Sequence, residues 1–419
     1  MAILLLPWQT RWFLDATWAG WPWEMGRFSV YASWIPMLVA IVAGWRSAER
    51  RPMVPWSWIA PVVAFIFLTL FATDGESAPL RAWSVWWVQV AMLVVFAATL
   101  VRHVFRERFV MWFVVSLWPQ ALLAFSQAAT NAVVGSKWIG VASQEAARSG
   151  VAVVDAGGRF LRAYGGFPHP NIFGAWMAAG AIVALDGASR AHRKRDERWK
   201  LWALSSAAFS IAVAFSVSRA AWIGLCLGIL GWIAIRMRGV EKRRALLIAS
   251  VPLFAFCVAA ASRPALFRAR AAVQGRIEAR SVGERVDSYR TALRLWRERP
   301  LVGAGINADI LRAVPDRPQP APPQPIHDLP LLWLAQLGIL GCALLAAIGW
   351  RLSRSLDLRT AAPFGLALLP SALFDHFLWT LWAGQALVVV GWLYATWWSP
   401  VDPCLDPASG PRQDRGVAV

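Results

Sequence analysis

Pro315-Asp-Arg-Pro-Gln-Pro-Ala-Pro-Pro-Gln-Pro-Ile-His-Asp328 runs directly into Leu329-Pro-Leu-Leu-Trp-Leu-Ala-Gln-Leu-Gly-Ile-Leu-Gly341. Prolines at this density favour extended backbone, and the apolar stretch that follows is of the kind that crosses a bilayer. The proline strut closes a longer run, Ser262 to Asp328, that is too polar to be embedded and carries twelve arginines and no lysine. It delivers Ile326-His327-Asp328 to the mouth of the next apolar segment. Arginines that close on one histidine at a membrane surface suit a phosphorylated substrate, because guanidinium forks bind phosphate oxygens in pairs.

Composition makes the rest of the chain a membrane scaffold for that run. Of 419 residues 58% are hydrophobic, with 28 tryptophans and a mean hydropathy of +0.47. Several apolar runs approach the roughly 20 residues that span a bilayer as helix, and none shows the alternating segments of about ten residues that build a β-barrel. The net charge of +18 lies mostly in short clusters between apolar runs. That pattern marks cytoplasmic loops, so no nucleic-acid partner is expected. Cys226, Cys257 and Cys342 fall inside apolar runs and Cys404 in the tail, so no disulfide is expected to staple the outer run. Met1 to Leu6 is apolar but too short to span and lacks the features of a signal peptide, and it reads as a first helix that is truncated or a stub.

Apolar spans are expected near 29–45, 54–73, 82–101, 109–130, 170–187, 201–217, 220–235, 245–261, 329–350, 361–378 and 380–397. The segments Arg46–Arg51, Arg102–Arg108, Arg190–Lys200, Arg236–Arg244 and Arg351–Arg359 are short and basic, and they alternate strictly with the other connections. The positive-inside bias puts the basic set in the cytoplasm and the loop around Asp74 to Ala82, 131–169, Ser218-Arg219, the long run and Asp375-His376 outside. The expected division is an N-terminal bundle over 1–261, an outer loop over 262–328, C-terminal helices over 329–398, and a disordered cytoplasmic tail over 399–419. Within the outer loop Glu284–Arg299 reads as an amphipathic helix, with Val286, Tyr289, Leu293 and Trp296 on one face.

Outer segments hold the unusual residues. Arg162-Ala-Tyr-Gly-Gly-Phe-Pro-His-Pro-Asn171 stiffens the start of the fifth span, and Asn171 is suited to cap it. Arg219 sits in a tight turn between two spans; taken alone it reads as an interfacial arginine snorkelling to headgroups, and its outer-side context points to a substrate cation. His169, His327 and His376 all fall on the outer side, whereas His103 and His192 lie in basic loops and read as solvated. No metal-ligand spacing, phosphate loop or nucleophile elbow is present, so no metal or cofactor is expected, and any chemistry must come from the outer arginines and histidines.

Four motifs occur in a particular order: Arg162-x-x-Gly-Gly-Phe-Pro-His-Pro-Asn171, Phe215-Ser-Val-Ser-Arg-Ala-Ala-Trp222, Arg285 with Trp296-x-x-x-Pro-Leu-Val-Gly-Ala-Gly305, and His327-Asp-x-x-Leu-Leu-Trp-Leu-Ala-Gln-Leu-Gly-Ile-Leu-Gly341. Together they resemble the O-antigen ligase and O-antigen polymerase superfamily of bacterial membrane glycosyltransferases. Phe374-Asp-His-Phe-Leu-Trp-Thr-Leu-Trp-Ala-Gly-Gln385 looks like the closing motif of one branch. The resemblance implies an all-α polytopic, GT-C-like bundle of 11–12 transmembrane helices in the bacterial cytoplasmic membrane, with a large periplasmic loop. It also implies metal-independent transfer of a glycan from an undecaprenyl-pyrophosphate carrier to a hydroxyl of an acceptor glycan, a lipid core or a protein. By motif position Arg219, Arg285 and His327 carry over as catalytic. Arg162, His169, Asn171, Asp328 and His376 are candidates for substrate binding. Many members have Asn where this chain has Asp328.

Ligase-type transfer fits the overall size and the single long outer loop; polymerase and O-linked protein glycosyltransferase share the motifs. A solute transporter is the alternative of another class, but its spans should carry ionisable or helix-breaking residues near the bilayer midplane in matching halves, and these carry almost none. A non-catalytic subunit of an export assembly is a further one.

Overall fold

The structure is a computed structural model that describes residues 1–46, 56–148, 150–236, 242–272, 276–320 and 322–396. The tail expected over 399–419, with Cys404, lies outside the described residues. The chain starts with α1 (Ala2–Leu5) and four short strands, β1 (Arg11–Leu14), β2 (Thr17–Trp18), β3 (Trp21–Pro22) and β4 (Phe28–Tyr31). Antiparallel pairing joins β1 to β4, with Arg11 opposite Tyr31, and β2 to β3. Helices α2 (Trp34–Arg46), α3 (Trp56–Phe71), α4 (Ser77–His103) and α5 (Arg106–Thr130) follow. Two ribbons come next, β5 (Ala132–Val133) with β6 (Gln144–Glu145) and β7 (Val153–Asp155) with β8 (Arg159–Leu161). Then come α6 (Pro170–Arg193), α7 (Trp199–Ser216), α8 (Arg219–Arg236) and α9 (Lys242–Ala261). The polar run holds α10 (Pro264–Ala271), α11 (Arg276–Glu298) and α12 (Asp309–Ala313). The described chain closes with α13 (Leu329–Ser353), α14 (Leu358–Phe374), the single turn α15 (Phe377–Thr380) and α16 (Trp382–Ala395).

This is an all-α polytopic membrane protein. Among the described residues seven helices, α4 to α9 and α13, are long and apolar enough to cross a membrane, and shorter apolar helices occupy four further expected spans. The segment expected to span from residue 29 instead begins as strand β4, so helix starts only at Trp34. Residues 11–31 form ribbons because Arg11 is held inside them by Glu24, Ser29 and Tyr31, a polar cluster that no lipid-facing helix tolerates.

Contacts sort the connections into two ends. At one end Arg106 donates to the Tyr394 carbonyl (2.9 Å), Asp357 N–H donates to Ala395 (2.7 Å), and Lys194 pairs with Glu107 (3.5 Å). At the other end the segments around 162–171, 216–219, 288, 327 and 375 meet. Among the described residues, the basic connections around 102–108, 190–200 and 351–359 therefore lie at the end opposite to these segments.

Helix α6 is the axis. Within its apolar window 94% of residues are buried, against 33% in α8 and 22% in α9. Glycine makes such close packing possible: a Cβ on Gly174 would stand 2.7 Å from that of Ala221, and one on Gly180 2.3 Å from Leu117. Near its basic end, buried Asp186 accepts from Arg190, Arg236, Trp232 (3.2 Å) and the Tyr394 hydroxyl (3.0 Å), tying α6 to α8 and α16. A buried carboxylate is tolerated only with such saturation of its lone pairs.

Helix α13 is broken at Gly338, where φ is 62° and ψ −172°. The gap lies about 15 Å along the helix at 1.5 Å per residue, and Pro300–Gly305 fills it. Ile339 N–H donates to Pro300 (2.9 Å) and Leu340 N–H to Leu301 (3.1 Å), while Ala304 and Gly305 donate back to Ala335 (2.8 Å) and Gln336 (2.9 Å). Non-helical backbone at such depth persists only where other protein groups satisfy it. Substituting Gly303 should test this insertion: its φ is +72° and a Cβ would lie 2.4 Å from the Gln336 carbonyl. Gly303→Ala is expected to lower the thermal midpoint in detergent by several degrees, whereas Gly283→Ala, on an open face of α11, should leave it unchanged or raise it.

Candidate functional site

Arg162 begins the site. Its side chain is buried; Nε donates to the Ser216 carbonyl in the α7–α8 turn (2.9 Å) and a terminal nitrogen donates to Asn171 Oδ1 (2.6 Å). The glycines that follow let the backbone lie on α5. Gln127 Oε1 accepts from Tyr164 and Gly165 N–H (2.8 and 3.0 Å), and Gln120 Oε1 accepts from Gly166 N–H (2.6 Å). The cap of α6 is His169 rather than Asn171, since Nδ1 of His169 accepts from Asn171 N–H (3.1 Å) with Pro170 in the first turn. The Asn171 side chain is engaged elsewhere, bridging Arg162 to Asp375 Oδ2 (2.8 Å).

Asp375 lies in the break between α14 and α15. His327 Nδ1 and His376 Nε2 each stand 4.0 Å from its Oδ1, and the two rings lie 5.2 Å apart. Their outer nitrogens are held as well: His376 Nδ1 meets Thr380 Oγ1 (2.6 Å) and His327 Nε2 meets Gln324 Oε1 (2.8 Å). The structure thus joins Arg162, His169, Asn171, His327 and His376 around one carboxylate. Asp328 is turned away as the cap of α13, its Oδ1 accepting from Leu331 N–H (2.8 Å).

Helix α11 covers this cluster. Ser288 Oγ accepts from His327 N–H (3.4 Å), and the Arg285 guanidinium lies over the Phe374 ring (6.0 Å), next to Asp375. The buried stripe of α11 runs through Ala292 and Leu295, while Val286 is 41% exposed. The helix packs against α13. Arg219 opens α8, three residues beyond the Ser216 carbonyl that anchors Arg162.

Residues with no motif to mark them hold the strut. Trp18 Nε1 donates to the Val314 carbonyl (3.0 Å) and Trp21 Nε1 to that of Gln319 (2.9 Å). Buried Asp309 accepts from Ile326 N–H (3.3 Å) and Gln336 Nε2 (2.7 Å), and Gln336 Oε1 accepts from Trp379 (2.9 Å). The sequence signals for these were faint: an acidic residue and a glutamine inside apolar surroundings.

Burial and then the Arg162 charge hold His169 far below the ordinary imidazole value, and burial, against the pull of Asp375, brings His376 down to about 4. Burial opposes ionisation of Asp375, but the three histidines and the Asn171 amide outweigh it and keep its carboxyl below the usual range. Burial pushes Asp309 up. The ligand atoms of His327, Asp375 and His376 all lie within 4.8 Å of one another, so among the described residues this trio can hold a metal. Two imidazoles and a carboxylate form a zinc-type donor set with its outer hydrogen bonds in place.

The fold and site define a helical membrane protein with an arginine-flanked histidine–carboxylate cluster at one end of its bundle. Residues 204–346, about a third of the chain, match the model of a family described as O-antigen ligase. That match supports placing the chain in the O-antigen ligase/polymerase superfamily. The matched segment contains Arg219, Arg285 and His327; the Arg162–Asn171 motif and Asp375-His376 fall outside it. No curated protein and no solved structure matches the chain.

The lowered imidazoles predict a pH dependence of stability. A base whose folded pKa is depressed loses its contribution as pH falls, here between the unfolded value of 6.5 and about 4 for His376. The thermal midpoint of the detergent-solubilised protein should fall across that window, and His376→Gln should remove about half of the fall, His169 supplying the rest.

Proposed function

We propose that this chain transfers a glycan from an undecaprenyl-pyrophosphate carrier to an acceptor hydroxyl at the outer face of the bacterial cytoplasmic membrane, as a ligase-type enzyme of its superfamily. The observation that carries the proposal is His327, held by backbone and side chain beside Asp375, in a cluster flanked by arginines.

Gln324 Oε1 accepts from Nε2–H of His327, which leaves the Nδ1 lone pair on the Asp375 side. Nδ1 takes the proton of the acceptor hydroxyl as that oxygen attacks the anomeric carbon. The bond from that carbon to the pyrophosphate oxygen breaks, and the electron pair leaves on the pyrophosphate, which stays on the lipid. Asp375 stabilises the imidazolium formed, and a general base of this kind contributes about 10²–10⁴ in rate. Arg219 and Arg285 bind the leaving pyrophosphate, where charge builds up as the bond breaks. No nucleotide is required, since the lipid-linked sugar is already activated. Size and the single long outer run favour a ligase over a polymerase.

Reconstituted transfer tests these roles. Arg219→Ala, Arg285→Ala and His327→Ala should insert normally and lose transfer by about 10²-fold or more. Lysine at 219 or 285 should rescue poorly, because a point charge does not reproduce the guanidinium fork. Glutamine at 327 should fail too; substantial turnover in His327→Gln would replace proton abstraction with hydrogen bonding. Transfer should survive dialysis against EDTA. Loss on chelation and recovery with zinc would favour the metal reading of the His327–Asp375–His376 trio.

Sidedness is tested separately. Ser143→Cys should react with an impermeant thiol reagent from outside intact cells, and Glu197→Cys, on an exposed turn at the other end, should not. The reverse pattern would place the cluster in the cytoplasm and overturn the proposed donor.

A further inference from the structure

Three donor groups converge in the histidine cluster. His327 Nδ1 and His376 Nε2 each stand 4.0 Å from Asp375 Oδ1, and one donor atom from each residue lies within 4.8 Å of the others. Both imidazoles present a lone pair to the carboxylate. Gln324 Oε1 accepts from Nε2–H of His327, which leaves its Nδ1 without a hydrogen. The Thr380 hydroxyl donates to the His376 carbonyl (3.3 Å), so its oxygen accepts from Nδ1–H of His376 (2.6 Å) and the lone pair falls on Nε2. Two lone pairs and a carboxylate oxygen repel one another until a proton or a metal ion stands among them.

The outer partners of a metal site are also in place. Asn171 Nδ2 donates to one oxygen of Asp375 and His376 N–H to the other (2.8 Å each), while Gln324 and Thr380 orient the two rings. Partners of this kind fix which atom faces the ion and are worth about 10–100-fold in affinity. Zinc donors at about 2.0–2.2 Å stand about 3.4 Å apart around a tetrahedral ion, so the trio closes on one by shortening its edges by about 0.6–1.4 Å. The three side chains are 12–20% exposed, which leaves an ion a way in.

Arginine decides which ion. Arg162 hydrogen-bonds the Asn171 amide that holds the carboxylate, and Arg285 lies over the Phe374 ring, next to Asp375. These charges oppose every cation, and most of all magnesium or calcium, which are hard ions held by oxygen ligands. Zinc, cobalt, nickel and copper form coordinate bonds to imidazole and suit two histidines with one carboxylate. We propose that His327, Asp375 and His376 form a binding site for a zinc-like transition-metal ion, and that this ion holds the protein in a reversible off state. The off state rests on the transfer reading above: a metal on His327 Nδ1 occupies the lone pair that would take the acceptor's proton.

The test uses the full chain, purified without a polyhistidine tag, stripped with EDTA and placed in nanodiscs. It is titrated with Co²⁺, whose visible absorption strengthens in a four-coordinate site, and then with Zn²⁺ to displace it. A single ion should bind. His376→Ala and Asp375→Asn should each weaken binding by about ten-fold or more. Gln324→Leu, at an exposed position outside the trio, should weaken it by about ten-fold through His327 alone. His103→Ala and His192→Ala, at the other end of the bundle, should leave it unchanged. Zn²⁺ should inhibit transfer over the range in which it displaces Co²⁺, EDTA should restore transfer, and Mg²⁺ or Ca²⁺ should have no effect. Absence of the Co²⁺ band, or a band undiminished in all three variants of the cluster, overturns the site. A stripped enzyme that is inactive until zinc is added overturns the off state and makes the ion catalytic. Binding that follows the variants while transfer continues at saturating Zn²⁺ leaves the site standing and removes His327 as the base.

Discussion

The break in α13 is the constraint on which the rest of the cluster's end of the bundle depends. A helix interrupted at Gly338 leaves backbone donors and acceptors open inside the bundle, and water is not there to meet them. Residues 300–305 meet them in both directions. Because this insertion sits directly after α11 and before α12, it fixes how the whole arginine-rich run stands on the bundle. Gln336, two residues before the break, then reaches Asp309 and Trp379 together, and Asp309 also accepts from Ile326 N–H, so the same break ties the end of the strut to the turn that follows His376.

The cluster itself is an exercise in burying charge economically. Asp375 keeps its ionised form because Asn171, the His376 backbone and nearby imidazoles all face it. The Asn171 amide links Arg162 to that carboxylate, donating to one partner while it accepts from the other. An amide suits this relay because it has both a donor and an acceptor end. The result is a carboxylate with Oδ1 turned toward His327 and His376.

The helices were legible in the sequence because an uninterrupted apolar run of bilayer length is rarely anything but a span, and alternating basic loops sorted their ends. The N-terminal ribbons were not, since Trp12, Phe13 and Leu14 look like the flank of a span, and only the Arg11–Glu24 pairing shows why they stay outside one. For the cluster, motif order pointed to Arg162, His169, Asn171, His327 and His376, which the fold does bring together. It pointed equally to Asp328, which caps a helix, while the carboxylate facing the imidazole is Asp375, some fifty residues further on. Chain adjacency carries no information about which way a side chain turns at a helix start. The supports at Trp18, Trp21, Asp309 and Gln336 act across long sequence separations, and no local pattern announces them.

Asp375 and His376 come from near the end of the described chain, between its last two long helices, whereas Arg162 and Asn171 come from before its midpoint. During synthesis Asp375 and His376 therefore arrive last, after Arg162, His169, Asn171 and His327 have already been made. A chain arrested at any earlier stage holds arginines and histidines with nothing to balance them. Completion of the cluster is thereby tied to completion of the bundle.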